Sequence, residues 1–176
     1  MKRTELERLA AEIDDFLAVP KSLSGSPPIW ADGSRSHELQ ASWPIVDNLG
    51  AIRANLRFKL PRDRFHAPTV QIIFEQIPIC RLDVEPDGPC KDNPVWAAKL
   101  GLPAVVCGSH FHSWENNRDH IVRSGEWKLP AREPIEPSLK RPRQMLPWIC
   151  DRTNILLEPD QRGFDMPPRS DLFEGS

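Results

Sequence analysis

The sequence predicts an α+β fold, with an antiparallel β-sheet flanked by an N-terminal amphipathic helix and a short C-terminal helix. A stretch of helical periodicity opens the chain, and runs of alternating apolar and polar residues then follow one another directly. The 19 prolines against 9 glycines favour extended segments over long helices. Because no helical pattern separates the strand-like runs, we expect sequential antiparallel strands rather than alternating βαβ units.

The first element is a helix over residues 3–18. Its apolar residues recur at helical spacing, at Leu6, Leu9, Ile13, Phe16 and Leu17. Charged residues separate them, and Pro20 ends the helix. The following residues, 21–36, are rich in Ser, Gly and Pro, which predicts a loop.

The central strand covers residues 52–60, where apolar side chains alternate with polar and basic ones. A turn at residues 47–50 predicts a hairpin with the preceding ELQASWPIV, and TVQIIFEQIPICRLDV adds further strands. Arg53, Arg57 and Lys59 make one face of the central strand basic. This face is either solvated or, if the strand pairs near the histidines, an anion-binding wall.

The C-terminal part predicts a short or broken helix near residues 139–149, because Pro142 and Pro147 interrupt its apolar pattern. The length of 176 residues is suited to one core, so we expect a single domain over residues 1–157. Residues 158–176 lack an apolar period, and we expect an extended or disordered tail.

Composition excludes some functional classes. A net charge of −2 and a pI near 6.2 give no global attraction to nucleic acid, although a local basic face remains compatible with it. Without an apolar leader or a run approaching ~18 apolar residues, we expect a soluble, cytoplasmic protein with no membrane partner. The cysteines show no CxxC spacing, which predicts free thiols at Cys80, Cys90, Cys107 and Cys150.

The clearest chemical signal is CGSHFHSWENNRDH, residues 107–120, which holds three of the five histidines. Strand alternation places His110 and His112 on one exposed or cleft-facing surface, with Cys107 and Phe111 on the opposite, core face. Joining Cys107 to the histidines would need a break at Gly108. Two histidines on a strand face are compatible with a plain polar surface or with a metal or acid–base site.

Polar neighbours favour the chemical interpretation. We expect His110 to be a ligand or general base and His112 a second ligand or general acid. Asp83 and Asp92 are further catalytic candidates. The candidate ligands for a divalent zinc, manganese or iron ion are His110, His112, Asp119 and His120. The candidate substrate-binding residues are Arg53, Arg57, Lys59 and Arg118.

Several short motifs carry a resemblance to a known family. They are RLD at 81–83, DNP at 92–94, GSHFH at 108–112, WKLP at 127–130 and WIC at 148–150. Over roughly residues 10–155 the chain resembles a small bacterial, prophage-associated family of unknown function with this RLD, NP, HxH and W progression. The resemblance implies a compact α+β domain and a mobile-element context.

The chain departs from that family where a histidine commonly precedes the Asn-Pro pair, because Lys91 and Asp92 stand there. Asp92 would then replace the histidine, or the activity would be lost. The order of helix and strands is also similar to the ubiquitin-conjugating fold, which implies a reactive cysteine at Cys90 or Cys107.

These observations predict a nuclease-like hydrolase whose polar, histidine-rich site acts on a phosphodiester or similar anionic substrate. The alternative is a non-catalytic protein that binds and inhibits, or assists, a host or defence complex through its surface.

Overall fold

The computed structural model describes residues 3–33, 37–135, 139 and 142–167. It confirms the α+β fold with a mostly antiparallel sheet. The α-helices are α1 (Arg3–Ala18), α2 (Trp114–Ser124) and α3 (Met145–Arg152). The strands are β1 (Lys21–Leu23), β2 (Ala31–Asp32), β3 (Glu38–Val46), β4 (Ile52–Pro61), β5 (Thr69–Phe74), β6 (Ile77–Asp83), β7 (Cys90–Asp92), β8 (Val105–Cys107), β9 (His110–His112), β10 (Glu133–Pro134) and β11 (Ile155–Leu156).

The main sheet has the order β10-β9-β6-β5-β4-β3-β1-β11, and β2 pairs with β3. Strands β3 to β6 form the predicted meander of sequential antiparallel strands. The segment predicted as a loop also contains the short strands β1 and β2. The most important step for the site is the return of β9, which pairs with β6 after an excursion of more than twenty residues.

The core lies between one face of the sheet and the helices. Ile13 and Phe16 of α1 are buried, and the Phe16 ring lies 5.0 Å from the ring of Phe74 on β5. Phe111 of β9 points to the same side, where its ring contacts Trp148 of α3 at 5.0 Å. The predicted N-terminal and C-terminal helices are therefore both confirmed, and their apolar faces cover the sheet.

Helix α2 was not predicted, although its capping signals are present in the sequence. Ser113 is the N-cap and accepts a hydrogen bond from the Asn116 backbone N–H at 3.2 Å. Gly125 ends the helix in the left-handed conformation that favours glycine. The dense polar composition of this segment masks its amphipathic pattern, in which Trp114, Asn117 and Ile121 are buried.

Strands β7 and β8 form a separate two-stranded sheet in which Cys90 pairs directly with Cys107. The two residues form a disulfide, so the prediction of free thiols is wrong for them. It is correct for Cys80 and Cys150, which are buried and free. The spacing of Cys90 and Cys107 along the chain did not reveal a pairing that depends on strand register.

Part of the predicted tail packs on the core. Phe164 stacks against Trp30 with ring centroids 5.8 Å apart, and it also contacts Phe58 at 4.8 Å. Gln161 is buried and donates a hydrogen bond to the Leu23 carbonyl. The remaining tail residues, 168–176, lie outside the described residues. A domain boundary at residue 157 does not anticipate these contacts.

Within the described ranges, none of the helices combines the length and the apolar character needed to cross a membrane.

Candidate functional site

Two rows of polar side chains cross the sheet on the face opposite the helices. Residues that pair directly across strands point to the same face, so the register of β4, β5, β6 and β9 defines both rows. The first row consists of Lys59, Thr69, Asp83 and His110. The second row consists of Arg57, Gln71, Arg81 and His112. We call this surface the polar sheet face.

The register places Arg57 and Lys59 on the face of the histidines, whereas the anion-binding wall was expected only if the central strand pairs near them. They are not adjacent to the histidines, however, because β5 and β6 lie between β4 and β9. With strands about 4.8 Å apart, the backbones of β4 and β9 are separated by about 14 Å.

His110 is oriented by the turn that precedes β9. Gly108 adopts a φ of +71°, and a side-chain carbon there would lie 2.7 Å from the Pro86 carbonyl oxygen. Only glycine fits this turn, which separates β8 from β9. The Gly108 carbonyl oxygen lies 2.7 Å from His110 Nδ1. Because a carbonyl oxygen only accepts hydrogen bonds, Nδ1 carries a proton and the opposite ring nitrogen, Nε2, points towards β6.

His112 is oriented by the segment that leads into β10. Its Nδ1 donates to the Ala131 carbonyl oxygen at 3.1 Å. Asn117 fixes Ala131, because its Oδ1 accepts from the Ala131 N–H at 2.8 Å and its Nδ2 donates to the Ala131 carbonyl at 3.0 Å. Asn93 binds the backbone of the next residue, Arg132. Its Oδ1 accepts from the Arg132 N–H, and its Nδ2 donates to the Arg132 carbonyl.

The pairing of β6 with β9 brings Asp83, His110 and His112 together in one cluster. Asp83 Oδ2 lies 3.2 Å from His110 Nε2 and 3.6 Å from His112 Nε2. One ligand atom from each residue falls within 4.8 Å of the others. Tetrahedral zinc with ligand bonds near 2.0–2.2 Å has ligand atoms separated by about 3.4 Å. The spacing of the cluster therefore fits a divalent metal ion.

The orientation of the rings supports the same conclusion. A metal-binding histidine usually donates its other N–H to a carbonyl or carboxylate, which fixes the tautomer and the ring direction. Both His110 and His112 do this through Nδ1. Two histidines and one carboxylate can also hold iron(II), as in non-haem iron sites with open coordination positions.

Asp83 is ionised in this environment. Burial alone would raise the pKa of its carboxyl, but the charge of Arg81 and the hydroxyl of Thr69 hold that pKa well below its usual range. Thr69 Oγ1 donates to Asp83 Oδ1 at 2.8 Å, and Arg81 Nε donates to Oδ2 at 3.0 Å. A negative charge is thus held among groups that fix its position.

His112 is neutral. Burial lowers the pKa of His112, and the nearby Arg81 charge adds to this effect against the opposing influence of Asp83. The neutral ring agrees with the hydrogen bonding, since Arg81 Nη2 lies 2.6 Å from His112 Nε2 and a guanidinium only donates. Arg81 therefore bridges Asp83 and His112 and is the cation between them.

No such bridge joins Asp83 and His110. His110 Nε2 is buried and has no hydrogen-bond partner, although it faces Asp83 Oδ2 at 3.2 Å. A ring lone pair and a carboxylate oxygen repel each other at this distance in a buried site unless a cation lies between them. A divalent metal ion bound by both groups would supply that positive charge.

Asp83 connects the cluster to solvent. The histidine side chains are each 1% exposed, whereas the Asp83 side chain is 17% exposed. It lines a polar cavity of about 280 Å³ together with Thr69, Arg64, Arg81 and Lys91. Of the two expected alternatives, exposed or cleft-facing, the exposed one is wrong, because both histidine rings are buried and His112 lies against the Ala131 carbonyl.

The other predicted ligands lie away from the cluster. The Asp119 side chain is 84% exposed and pairs with Arg118. His120 stacks on Trp96 with ring centroids 5.0 Å apart. Both are on α2, which turns away after Ser113, so nearness in sequence did not bring them to His112.

Asp92 and two of the predicted substrate-binding arginines are also separated from the cluster. Asp92 is exposed on β7, outside the group of converging ligand atoms found among the described residues. Arg118 pairs with Asp14 at 2.7 Å on the helical side of the sheet. Arg53 pairs with Glu12 and Glu75, both at 2.7 Å.

Sequence reasoning missed several residues that shape the site. They are Arg64, Thr69 and Arg132. Sequence reasoning named Arg81 and Lys91 only through the family motifs, and Asn93 and Asn117 only as polar neighbours of the histidines. Strand alternation could have found Arg81, since it shares the face of Asp83 two positions later. The two asparagines gave no signal as side chains that bind a distant backbone segment.

Comparison with protein-family models, with curated proteins and with solved structures finds no match for this chain.

Proposed function

We propose that this protein is a metal-dependent hydrolase acting on a phosphodiester or a similar anionic ester. The observation that carries the proposal is the convergence of Asp83, His110 and His112, with both rings oriented through Nδ1 and one buried nitrogen left without a partner. Zinc, manganese and iron(II) are the candidate ions, since imidazole and carboxylate ligands suit all three.

The residues of the cluster and those of the adjacent cavity would have different roles. Asp83, His110 and His112 would hold the ion, and the ion would supply Lewis acidity and lower the pKa of a bound water. For His112 Nε2 to bind an ion, Arg81 would have to release it, and the partly exposed Arg81 side chain already lines the adjacent cavity. The cavity lining then carries three cations, Arg64, Arg81 and Lys91, against the two carboxylates of Asp83 and Glu85, and Arg64 pairs with Glu85 at 3.6 Å. This excess of positive charge favours an anionic substrate beside Asp83.

Hydrolysis of a nitrophenyl phosphodiester tests the proposal. Metal-free protein should be inactive, and one of the three ions should restore turnover. Asp83→Asn should reduce the rate by about 10²-fold or more, because it weakens a ligand and removes its charge. Asp92→Asn is the matched control with the same change of charge outside the cluster. Equal rates in the two variants would refute the assignment.

A second candidate is the non-catalytic binding protein of a host or defence complex. One observation favours it, namely the Val95 side chain, which is 94% exposed on a short 3₁₀ turn that also carries the half-exposed Leu100. Such a protein should keep its cellular effect in Asp83→Asn and lose it in Val95→Asp. The hydrolase should show the reverse.

The Cys90–Cys107 disulfide bears on the setting of this function. Disulfides persist mainly in oxidising compartments. In a cytoplasmic protein, which the sequence predicts, Cys90 and Cys107 would stay reduced until the protein meets oxidising conditions. The mobile-element context remains part of the proposal.

A further inference from the structure

We infer that the substrate of the proposed hydrolase is single-stranded nucleic acid, which crosses the polar sheet face with its phosphates on Arg57, Lys59 and Arg81. The catalytic part of this inference rests on the proposed function, but the binding surface can be tested independently.

The first support is the distribution of charge. The chain as a whole carries a net charge of −2, yet Arg57, Lys59 and Arg81 lie together on one sheet face. Lys59 approaches Glu38 at 3.4 Å, whereas Arg57 forms no ion pair with any residue in the described part of the chain. Three cations on one face of a chain of opposite net charge are suited to a polyanion.

The second support is the pair of cavities on either side of Arg81. One has a volume of about 280 Å³ and is lined by Arg64 and Lys91. The other, of about 300 Å³, is lined by Trp127 and Lys128. Arg81 lines both cavities, so a ligand bound to its guanidinium can also contact the residues of either cavity. A polymeric ligand can contact both cavities at once, whereas a small phosphate ester fills only one of them.

The third support is the depth of the cluster. Asp83 is 17% exposed and the histidines lie behind it, so the reacting phosphate must approach a recess in the surface. A flexible single strand can bend a phosphate into this recess, while a stiff duplex presents its phosphates on a wide cylinder. Trp127 is half-buried and lines the second cavity, and its ring stacks on that of Trp114 with centroids 6.4 Å apart, so a base would extend an existing stack.

The spacing of the cations is compatible with one strand. Lys59 and Arg81 lie on strands separated by β5, which places their backbones about 10 Å apart. Long, flexible side chains on such a spacing can reach successive phosphates of a single chain. Because only electrostatic and stacking contacts are involved, we expect little sequence preference.

Fluorescence anisotropy with a labelled single-stranded oligonucleotide tests the surface, in EDTA so that binding does not depend on the metal. We compare the parent with Arg57→Ser/Lys59→Gln. The matched control is Arg3→Ser/Lys99→Gln, which removes the same charge from a cavity at α1 and α2. The first pair should weaken binding about tenfold and reduce the salt slope by about 1.4, at ~0.7 for each lost phosphate contact.

Several results would refute either the binding of single-stranded nucleic acid or the hydrolase function. No binding at about 50 mM salt, or equal losses in the two double variants, would overturn the inferred binding. Tighter binding to a duplex would overturn the choice of a single strand. Oligonucleotide binding without hydrolysis by any of the three ions would refute the proposed function and leave the surface standing. Hydrolysis of a small diester without oligonucleotide binding would do the opposite.

Discussion

His110 Nε2 and Asp83 Oδ2 face each other at 3.2 Å, and the histidine nitrogen has no hydrogen-bond partner. The other ring nitrogen is committed to the Gly108 carbonyl. Leaving a buried nitrogen unpaired costs about 1–3 kcal/mol. A bound cation would remove this cost, so metal binding between these two residues should stabilise the fold.

Zinc or manganese should therefore raise the melting temperature of the parent protein. At a concentration 100-fold above the dissociation constant, a ligand that binds only the folded state stabilises it by about 2.7 kcal/mol. His110→Gln should abolish this effect, while His120→Gln should retain it because His120 stacks on Trp96 outside the cluster. Calorimetry in the presence and absence of each ion measures the difference. Equal responses in both variants would exclude the cluster as the binding site.

Replacing Arg81 should strengthen metal binding while it weakens hydrolysis. Its guanidinium occupies His112 Nε2 and must be displaced by an entering ion. We expect Arg81→Met to raise metal affinity about tenfold, which corresponds to ~1.4 kcal/mol. Arg57→Met removes the same charge from the same row of side chains without touching a ligand. Isothermal titration should show little change for that control, and weaker binding in Arg81→Met would contradict the displacement.

Gly108→Ala should destabilise the fold by about 3 kcal/mol, from the left-handed backbone together with the collision against Pro86. Gly50→Ala separates these two causes. Gly50 has a φ of +81° but nothing within 4 Å of an added side-chain carbon, so we expect only the backbone cost of about 1 kcal/mol. Denaturant unfolding compares the two. Similar losses would show that the close approach to Pro86 does not constrain the turn.

Asn117 should be essential for the position of His112. Asn117→Leu leaves the N–H and the carbonyl of Ala131 without their side-chain partner, which should cost about 3 kcal/mol of stability. It should also reduce metal affinity by about tenfold or more, since the Ala131 carbonyl orients the ring. Asn116→Leu is the neighbouring control, with one hydrogen bond to Glu133, and should cost less than ~1 kcal/mol.

Thiol titration should count the cysteines in three states. The folded protein should react with no thiol reagent, because burial raises the pKa of Cys80 and that of Cys150 to about 12, which suppresses the reactive thiolate. Unfolding without reductant should expose these two thiols, and reduction should add Cys90 and Cys107. Four thiols without reductant would show that the bond is absent.

Much of the fold follows from local patterns. Periodicity is enough to predict α1 and the strands of the meander, because each buries one face and its apolar residues repeat accordingly. Helix α2 was not predicted because its many polar residues were interpreted as part of a chemical site, which hid the helical spacing of its few buried residues. The disulfide escaped because the pairing of Cys90 with Cys107 is a property of strand register.

The site divides in the same way. By itself, the sequence determined that Arg81 and Asp83 share one face of their strand and that His110 and His112 share one face of theirs, because side chains alternate along any strand. Only the tertiary structure brought these faces together. The register of β6 with β9 pairs Arg81 with His112 and Asp83 with His110, a contact between segments more than twenty residues apart. Such contacts depend on the packing of the whole sheet, which no local pattern encodes. The same packing turned α2 outward, so Asp119 and His120, which are closer to His112 in sequence than Asp83 is, lie outside the cluster.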